Sequence, residues 1–128
     1  MEKSYLILVV EDNEMNREIV VRRLKKNGYT VIQAFDGLEG FEKATQNLPD
    51  LILMDINLPI MDGIESTKKI KEHKETSRIP IIALTAHVKE DSRAQIIASG
   101  CDDFEPKPVN FDNLFKKIKD LIHSSKLP

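Results

Sequence analysis

The chain has 128 residues and a single cysteine, with 41% apolar and 31% charged residues and a net charge of −2. That length and mixture fit one globular domain with its own core, and the near-neutral balance excludes a strong pull toward nucleic acid or an anionic membrane. The lone Cys101 excludes an internal disulfide and a cysteine-based metal cluster, no apolar run reaches the ~20 residues of a membrane span, and Met1-Glu2-Lys3-Ser4 does not open a signal peptide, so a reducing, cytoplasmic setting is expected.

Tyr5 to Val10 is a continuous apolar run and reads as a strand buried on both faces. Glu11-Asp12-Asn13 follows at once, and Asn13 is placed to cap a helix with Met15, Ile19, Val20 and Leu24 on its apolar side. Asn27-Gly28 stops that helix. Tyr29 to Ala34 is the second strand. Asp36 precedes Glu39 by three, a capping spacing, and opens a helix with Leu38, Phe41, Ala44 and Leu48 on one side, closed by Pro49.

Leu51 to Met54 is the third buried strand, and Asp55 stands directly at its end before Pro59 and the Asp62-Gly63 turn. Asp62 and Glu65 repeat the capping spacing for a helix with Ile64 and Ile70 inward and Lys68, Lys69 and Lys71 outward. Ile79 to Leu84 is the fourth strand, ending in Thr85-Ala86-His87. The next helix is expected to use Ala94, Ile97 and Ala98 and to stop at Gly100. Cys101 to Glu105 is a weak fifth strand, with Cys101 a small core residue. Asn110 caps a last helix with Phe111, Leu114, Phe115, Ile118, Leu121 and Ile122 along one side. The domain is expected to span residues 1–124, with 125–128 as a short tail.

Five strand–helix pairs with short connections predict a doubly wound α/β domain, a parallel sheet with helices on both faces. Right-handed crossovers bring all strand C-termini to one edge, where such folds bind ligands. Glu11, Asp12, Asp55, Thr85 and Lys107 all fall at that edge. A glycine-rich loop would offer N–H groups to an anion, whereas this first loop offers two carboxylates. Three acids in one crevice require a cation, and hard oxygen ligands at an open site suit Mg²⁺. Asp55 could then attack a phosphoryl group, with the Thr85 hydroxyl and the Lys107 ammonium receiving its oxygens.

Taken singly, these residues have plainer readings. Glu11 also fits an exposed acid at a helix start, Lys107 a solvated lysine, Thr85 a turn residue and Phe104 a core residue. His73, His87 and His123 read as surface residues, with only His87 near the crevice. The joint placement of Asp12, Asp55, Thr85 and Lys107 is what favours a site.

Together, Val9-Val10-Glu11-Asp12-Asn13, Leu53-Met54-Asp55-Ile56-Asn57-Leu58-Pro59, Met61-Asp62-Gly63, Leu84-Thr85-Ala86 and Lys107-Pro108 resemble the receiver domain of bacterial two-component response regulators, of the single-domain, chemotaxis-regulator-like kind. The resemblance runs from Leu6 to about Ile122. It implies a flavodoxin-like five-stranded sheet of order 2-1-3-4-5. It further implies that Asp55 is the phospho-acceptor and that Glu11, Asp12, Asp55 and the Asn57 carbonyl hold Mg²⁺. Thr85 and Phe104 would be the switch pair, Lys107 would contact the phosphoryl group, and the Lys107-Pro108 bond would be cis. Phe104 departs from the family in lacking a phenolic hydroxyl, and Pro106 removes a backbone donor from the fifth strand.

The implied partners are a histidine kinase or histidine phosphotransfer protein, met by the first helix with Met15, Arg17, Arg22 and Arg23, and a downstream protein met by the face of helix four, strand five and helix five. Ala94, Ala98, Ser99, Lys116 and Lys119 would contribute to that second face. The chain is expected to catalyse its own phosphorylation and a slow dephosphorylation, as a stand-alone receiver or as a module of a hybrid kinase or larger regulator. A Mg²⁺-dependent aspartyl phosphatase would want an acid where Asn57 stands. A flavin-binding domain would want Ser, Thr or Gly where Glu11-Asp12-Asn13-Glu14 stands.

Overall fold

The computed structural model describes residues 4–86 and 90–125. Strands β1 (Leu6–Val10), β2 (Thr30–Ala34), β3 (Leu51–Asp55), β4 (Ile81–Thr85) and β5 (Asp103–Pro106) alternate with helices α1 (Glu14–Lys26), α2 (Gly37–Asn47), α3 (Gly63–Glu72), α4 (Glu90–Ala98) and α5 (Phe111–Ser125). All four strand pairings are parallel, in the order β2-β1-β3-β4-β5. The doubly wound α/β fold and the expected order are both observed.

Strand alternation divides the core between two faces. Ile7, Val9, Leu51, Leu53, Ile82 and Leu84 meet Val20, Val21 and Leu24 of α1 and Leu114, Ile118 and Ile122 of α5. Leu8, Val10, Ile52, Met54 and Ile81 point the other way, toward Ala44 of α2 and Ile70 of α3. A smaller group, Ile56, Ala83 and Ile96, lies under α4.

The helix starts are capped as their sequences require. The Asn13, Asp36, Asp62 and Asn110 side chains accept from the backbone N–H three residues on, at 2.9, 2.8, 2.9 and 3.0 Å. α1 ends at Asn27 with Gly28 at φ +90, and the Gly28 and Tyr29 N–H groups close onto the Lys25 and Leu24 carbonyls.

Several inward faces differ from the periodicity reading. In α1, Met15 and Ile19 are exposed, and Val21 takes their place beside Val20 and Leu24. In α2, Leu38 and Leu48 are exposed; Leu48 is the left-handed C-cap at φ 46, which swings it away from the helix face. Lys71 of α3 does not point outward: its ammonium binds the Asp102 carboxylate at 2.8 Å and the Ile79 carbonyl at 2.8 Å, tying α3 to the strand connections. α4 turns Ile96 and Ser99 inward and leaves Ala94, Ile97 and Ala98 in solvent. Cys101 precedes β5 rather than starting it, is half-buried, and donates to the Ile96 carbonyl. Pro106, expected to end that strand, is its last residue, opposite Thr85. His73 and His123 are exposed; His87 and the end of the tail lie outside the described residues. Among the described residues no helix is long and apolar enough to cross a membrane.

Candidate functional site

β1 and β3 are neighbours, with Val9 opposite Leu53 and Val10 opposite Met54. Continuing that register by one residue sets Glu11 against Asp55, on the face occupied by Val9 and Leu53. The two carboxylates therefore meet because each follows its strand's last apolar residue. Both are buried, at 3% exposure each, whereas Asp12 is exposed at the mouth. Oxygens of Glu11, Asp12 and Asp55 all lie within 4.8 Å of one another.

Lys107 arrives from the end of β5. Its backbone N–H bonds the Thr85 carbonyl at 2.8 Å, extending the β4–β5 ladder one step past Pro106. Its ammonium then reaches across to Asp55 Oδ2 at 3.0 Å and Glu11 Oε1 at 3.1 Å. The Lys107-Pro108 bond is cis, as the resemblance implied. Backbone N–H groups hold the acids from the other side, Asn13 on Glu11 Oε2 and Asn57 on Asp55 Oδ1, each at 3.2 Å.

Thr85 ends β4 and is buried. It has the opposite strand parity from Leu84, so it faces a cavity of about 190 Å³ shared with Ile56, Asn57, Asp62, Ile64, Gln95 and Ile96. Phe104 sits on β5 opposite Ala83 and packs half-buried against the group under α4. Two cations lie over its ring, Arg93 Cζ at 5.0 Å and Lys117 Nζ at 5.7 Å from the centroid.

Two glycines let the loops close over this edge. A Cβ on Gly63 would stand 2.1 Å from the Asp55 carbonyl oxygen, and one on Gly37 would stand 1.9 Å from that of Met61. Neither approach leaves room for a side chain.

Burial pushes the Glu11 carboxyl up to about 7, helped by its hydrogen bond with Asp55 and the Asp55 charge, against the pull of the Asn13 N–H and Lys107. Burial pulls the Lys107 ammonium down, but its hydrogen bond and charge contact with Asp55, and then Glu11, outweigh that and raise it. Three acids thus face one lysine, and the excess negative charge is concentrated at a pocket whose outer acid is open to solvent. An all-oxygen donor set of this kind, with one acid open to solvent, fits Mg²⁺.

Asp12, Asp55 and Lys107, proposed from sequence, converge with Glu11; Thr85 stands on the adjoining strand end. Asn57 is exposed beside Asp55, and Phe104 lies one layer back. Glu11 is not the exposed helix-start acid, and Lys107 is not a solvated lysine. Arg17, assigned to the donor-facing surface, instead turns inward and bonds the Glu11 carbonyl at 2.9 Å. Ser99, assigned to the downstream face, is buried at 4% exposure. Sequence reasoning missed Glu105, buried on β5 and paired at 2.8 Å with Lys117, whose ammonium also bonds the Phe104 carbonyl at 2.6 Å. The alternation from Phe104 to Glu105 was its only signal.

Residues 7–119 match the family model of the response regulator receiver domain. The polar-differentiation response regulator DivK of Brucella ovis is 38% identical over 119 residues, covering 93% of this chain and 95% of DivK. The receiver domain of a sensor histidine kinase from Pseudomonas aeruginosa PAO1, solved with a magnesium ion in its active-site cleft, superposes with a TM-score of 0.89 at 33% identity, covering 94% of this chain and 99% of that one. A chain in the co-crystal of the Saccharomyces cerevisiae phosphotransfer protein Ypd1 with the receiver domain of its downstream regulator Ssk1 superposes at 0.89 and 30% identity, over 99% of this chain and 94% of that one. With its fold, its strand-end acids and these matches in agreement, the chain belongs to the response regulator receiver domain family.

Proposed function

We propose that this receiver, spanning residues 1–124, is a signalling switch that accepts a phosphoryl group on Asp55. The supporting observation is the packing of Asp55: a buried strand-end carboxylate 3.0 Å from the Lys107 ammonium, with two further acids within 4.8 Å. A carboxylate so placed is fixed in aim and approachable only from the open edge. One Asp55 oxygen attacks phosphorus, the new O–P bond forms, and the donor's P–N bond breaks with its electron pair returning to the imidazole nitrogen.

Glu11, Asp12 and Asp55, with the Asn57 carbonyl, would hold Mg²⁺, which when bound neutralises charge on the phosphoryl oxygens. Lys107 pairs with one phosphoryl oxygen and the Thr85 hydroxyl donates to another. Phe104 then repacks behind Thr85. A hydroxyl bond to a charged oxygen contributes about 1.5–3 kcal/mol, enough to shift a two-state balance ten- to a hundredfold.

The donor is a phosphohistidine on a kinase or phosphotransfer protein. The first helix offers it exposed Met15 and Ile19 beside a groove of about 530 Å³ lined by Ile19, Val20, Val109 and Phe111 and reaching Glu11 and Lys107. A downstream protein takes the α4-β5-α5 face, in a cytoplasmic setting. Acetyl phosphate with Mg²⁺ tests the core of this reading: it should label the wild type and not Asp55→Asn. Equal labelling of both overturns the assignment.

A further inference from the structure

Arg17 lies in the second turn of α1 and is half-buried. Its Nη1 donates to the Glu11 carbonyl at 2.9 Å, its Nε donates to Gln33 Oε1 at 3.1 Å, and its Cζ stands 4.2 Å from the centroid of the Phe35 ring. The guanidinium is thus held by two hydrogen bonds while its carbon sits over the face of the Phe35 ring. Gln33 and Phe35 flank the last residue of β2, Ala34, and the Glu11 N–H makes its own bond to the Ala34 carbonyl at 3.1 Å. Beyond that point β2 ends, and the Glu11 carbonyl is received by Arg17. A second cation, Lys43, also lies over the Phe35 ring, and its ammonium bonds the Gln33 carbonyl.

We propose that Arg17 is a positioning residue for the acidic pocket: by gripping the Glu11 carbonyl from a platform built on the end of β2, it fixes the loop that presents Glu11 and Asp12 to a divalent cation. The inference rests on the metal reading of those acids given above. The peptide held by Arg17 is the one joining Glu11 to Asp12, so its rotation would move both carboxylates at once. Lysine cannot stand in fully, because one ammonium does not reproduce the rigid fork of donors that holds two acceptors beside an aromatic ring. Groups that orient ligands in this way commonly carry ten- to a hundredfold in metal affinity.

Charge alone predicts the opposite effect. Removing a cation beside three carboxylates should tighten cation binding. The test is calorimetric titration of the full chain with Mg²⁺, well below each variant's melting temperature, for wild type, Arg17→Met, Arg17→Lys and Gln33→Leu. Weaker binding is expected in all three, by about tenfold in Arg17→Met, with Arg17→Lys between it and wild type. A merely structural role would lower the melting temperature and leave the affinity of the folded protein alone. Unchanged or tighter Mg²⁺ binding in Arg17→Met overturns the proposal, and should that variant not fold, unchanged binding in Arg17→Lys and Gln33→Leu does the same. A wild type that binds no Mg²⁺ overturns the metal reading itself, and this inference with it.

Discussion

Glu11 carries the clearest consequence for pH. In the metal-free folded chain its carboxyl is pushed up to about 7, against an ordinary value of 4.5. Between those values the folded state holds a proton that the unfolded state has released, so stability falls as pH rises. The contribution is fully present below about 4.5 and lost on passing about 7. Thermal melts without metal should therefore show a declining midpoint across that window, with Glu11→Gln melting above wild type on the alkaline side. Saturating Mg²⁺ should remove most of the difference. A metal-free midpoint insensitive to Glu11→Gln would contradict the buried pairing with Asp55. A second residue-scale test lies in α3, where Thr67 is fully buried and its hydroxyl has no hydrogen-bond partner among the described residues. An unsatisfied buried hydroxyl costs about 1–3 kcal/mol, so Thr67→Val should raise the urea midpoint with little change in slope.

Among the elements, the β3–α3 loop stores strain. Ile60 is held at φ 67 with 80% exposure, inside a three-residue turn closed by the Met61 N–H on the Pro59 carbonyl at 2.7 Å. A β-branched residue in the left-handed region is costly, and nothing in the core rewards it here. Ile60→Gly should stabilise the protein by about 1 kcal/mol, net of glycine's greater freedom when unfolded. Equilibrium unfolding checks the sign. At the same scale, the sequence conveyed the strands better than the helix phases. A buried strand announces itself by an unbroken apolar run, and the following polar residue must then surface. α4 has no such signal: Ala94, Ile96, Ile97 and Ala98 fall on all sides of it, so their spacing does not select the Ile96–Ser99 face that packs. The inward turn of Arg17 is hidden from the sequence for a related reason. Its helix position gives its direction only roughly, and its partners Gln33 and Phe35 sit on another strand end.

For the whole molecule, the order of strands brought distant acids together, and that much was legible once the parallel sheet was recognised. The register that puts Glu11 beside Asp55 follows from each acid ending its strand's apolar run, whereas the reach of Lys107 between them depends on a side-chain placement that no spacing encodes. The donor surface proposed on α1 and the downstream surface proposed on the α4-β5-α5 face should be separable. Met15→Glu and Ile19→Lys should slow transfer from a phosphohistidine protein at least tenfold, the scale of a lost interface anchor, and leave acetyl phosphate labelling unchanged. Ile97→Glu should spare both and weaken binding of a downstream protein. Loss of both kinds of labelling in folded α1 variants would show that the surface and the site are not separate.

The ion pair between Lys107 and Glu11 joins residues 96 apart in the chain. Such a contact closes late, because the ends must wait for everything between them. On the ribosome, β1 and β3 emerge long before β5, so a growing chain presents its acid cluster without the lysine that binds Asp55. If Asp55 accepts the phosphoryl group as proposed, competence to be labelled should be withheld until synthesis has passed the fifth strand. Stalled nascent chains ending before and after Lys107, exposed to acetyl phosphate, should differ in labelling, and equal labelling would show that the nucleophile matures without its last partner.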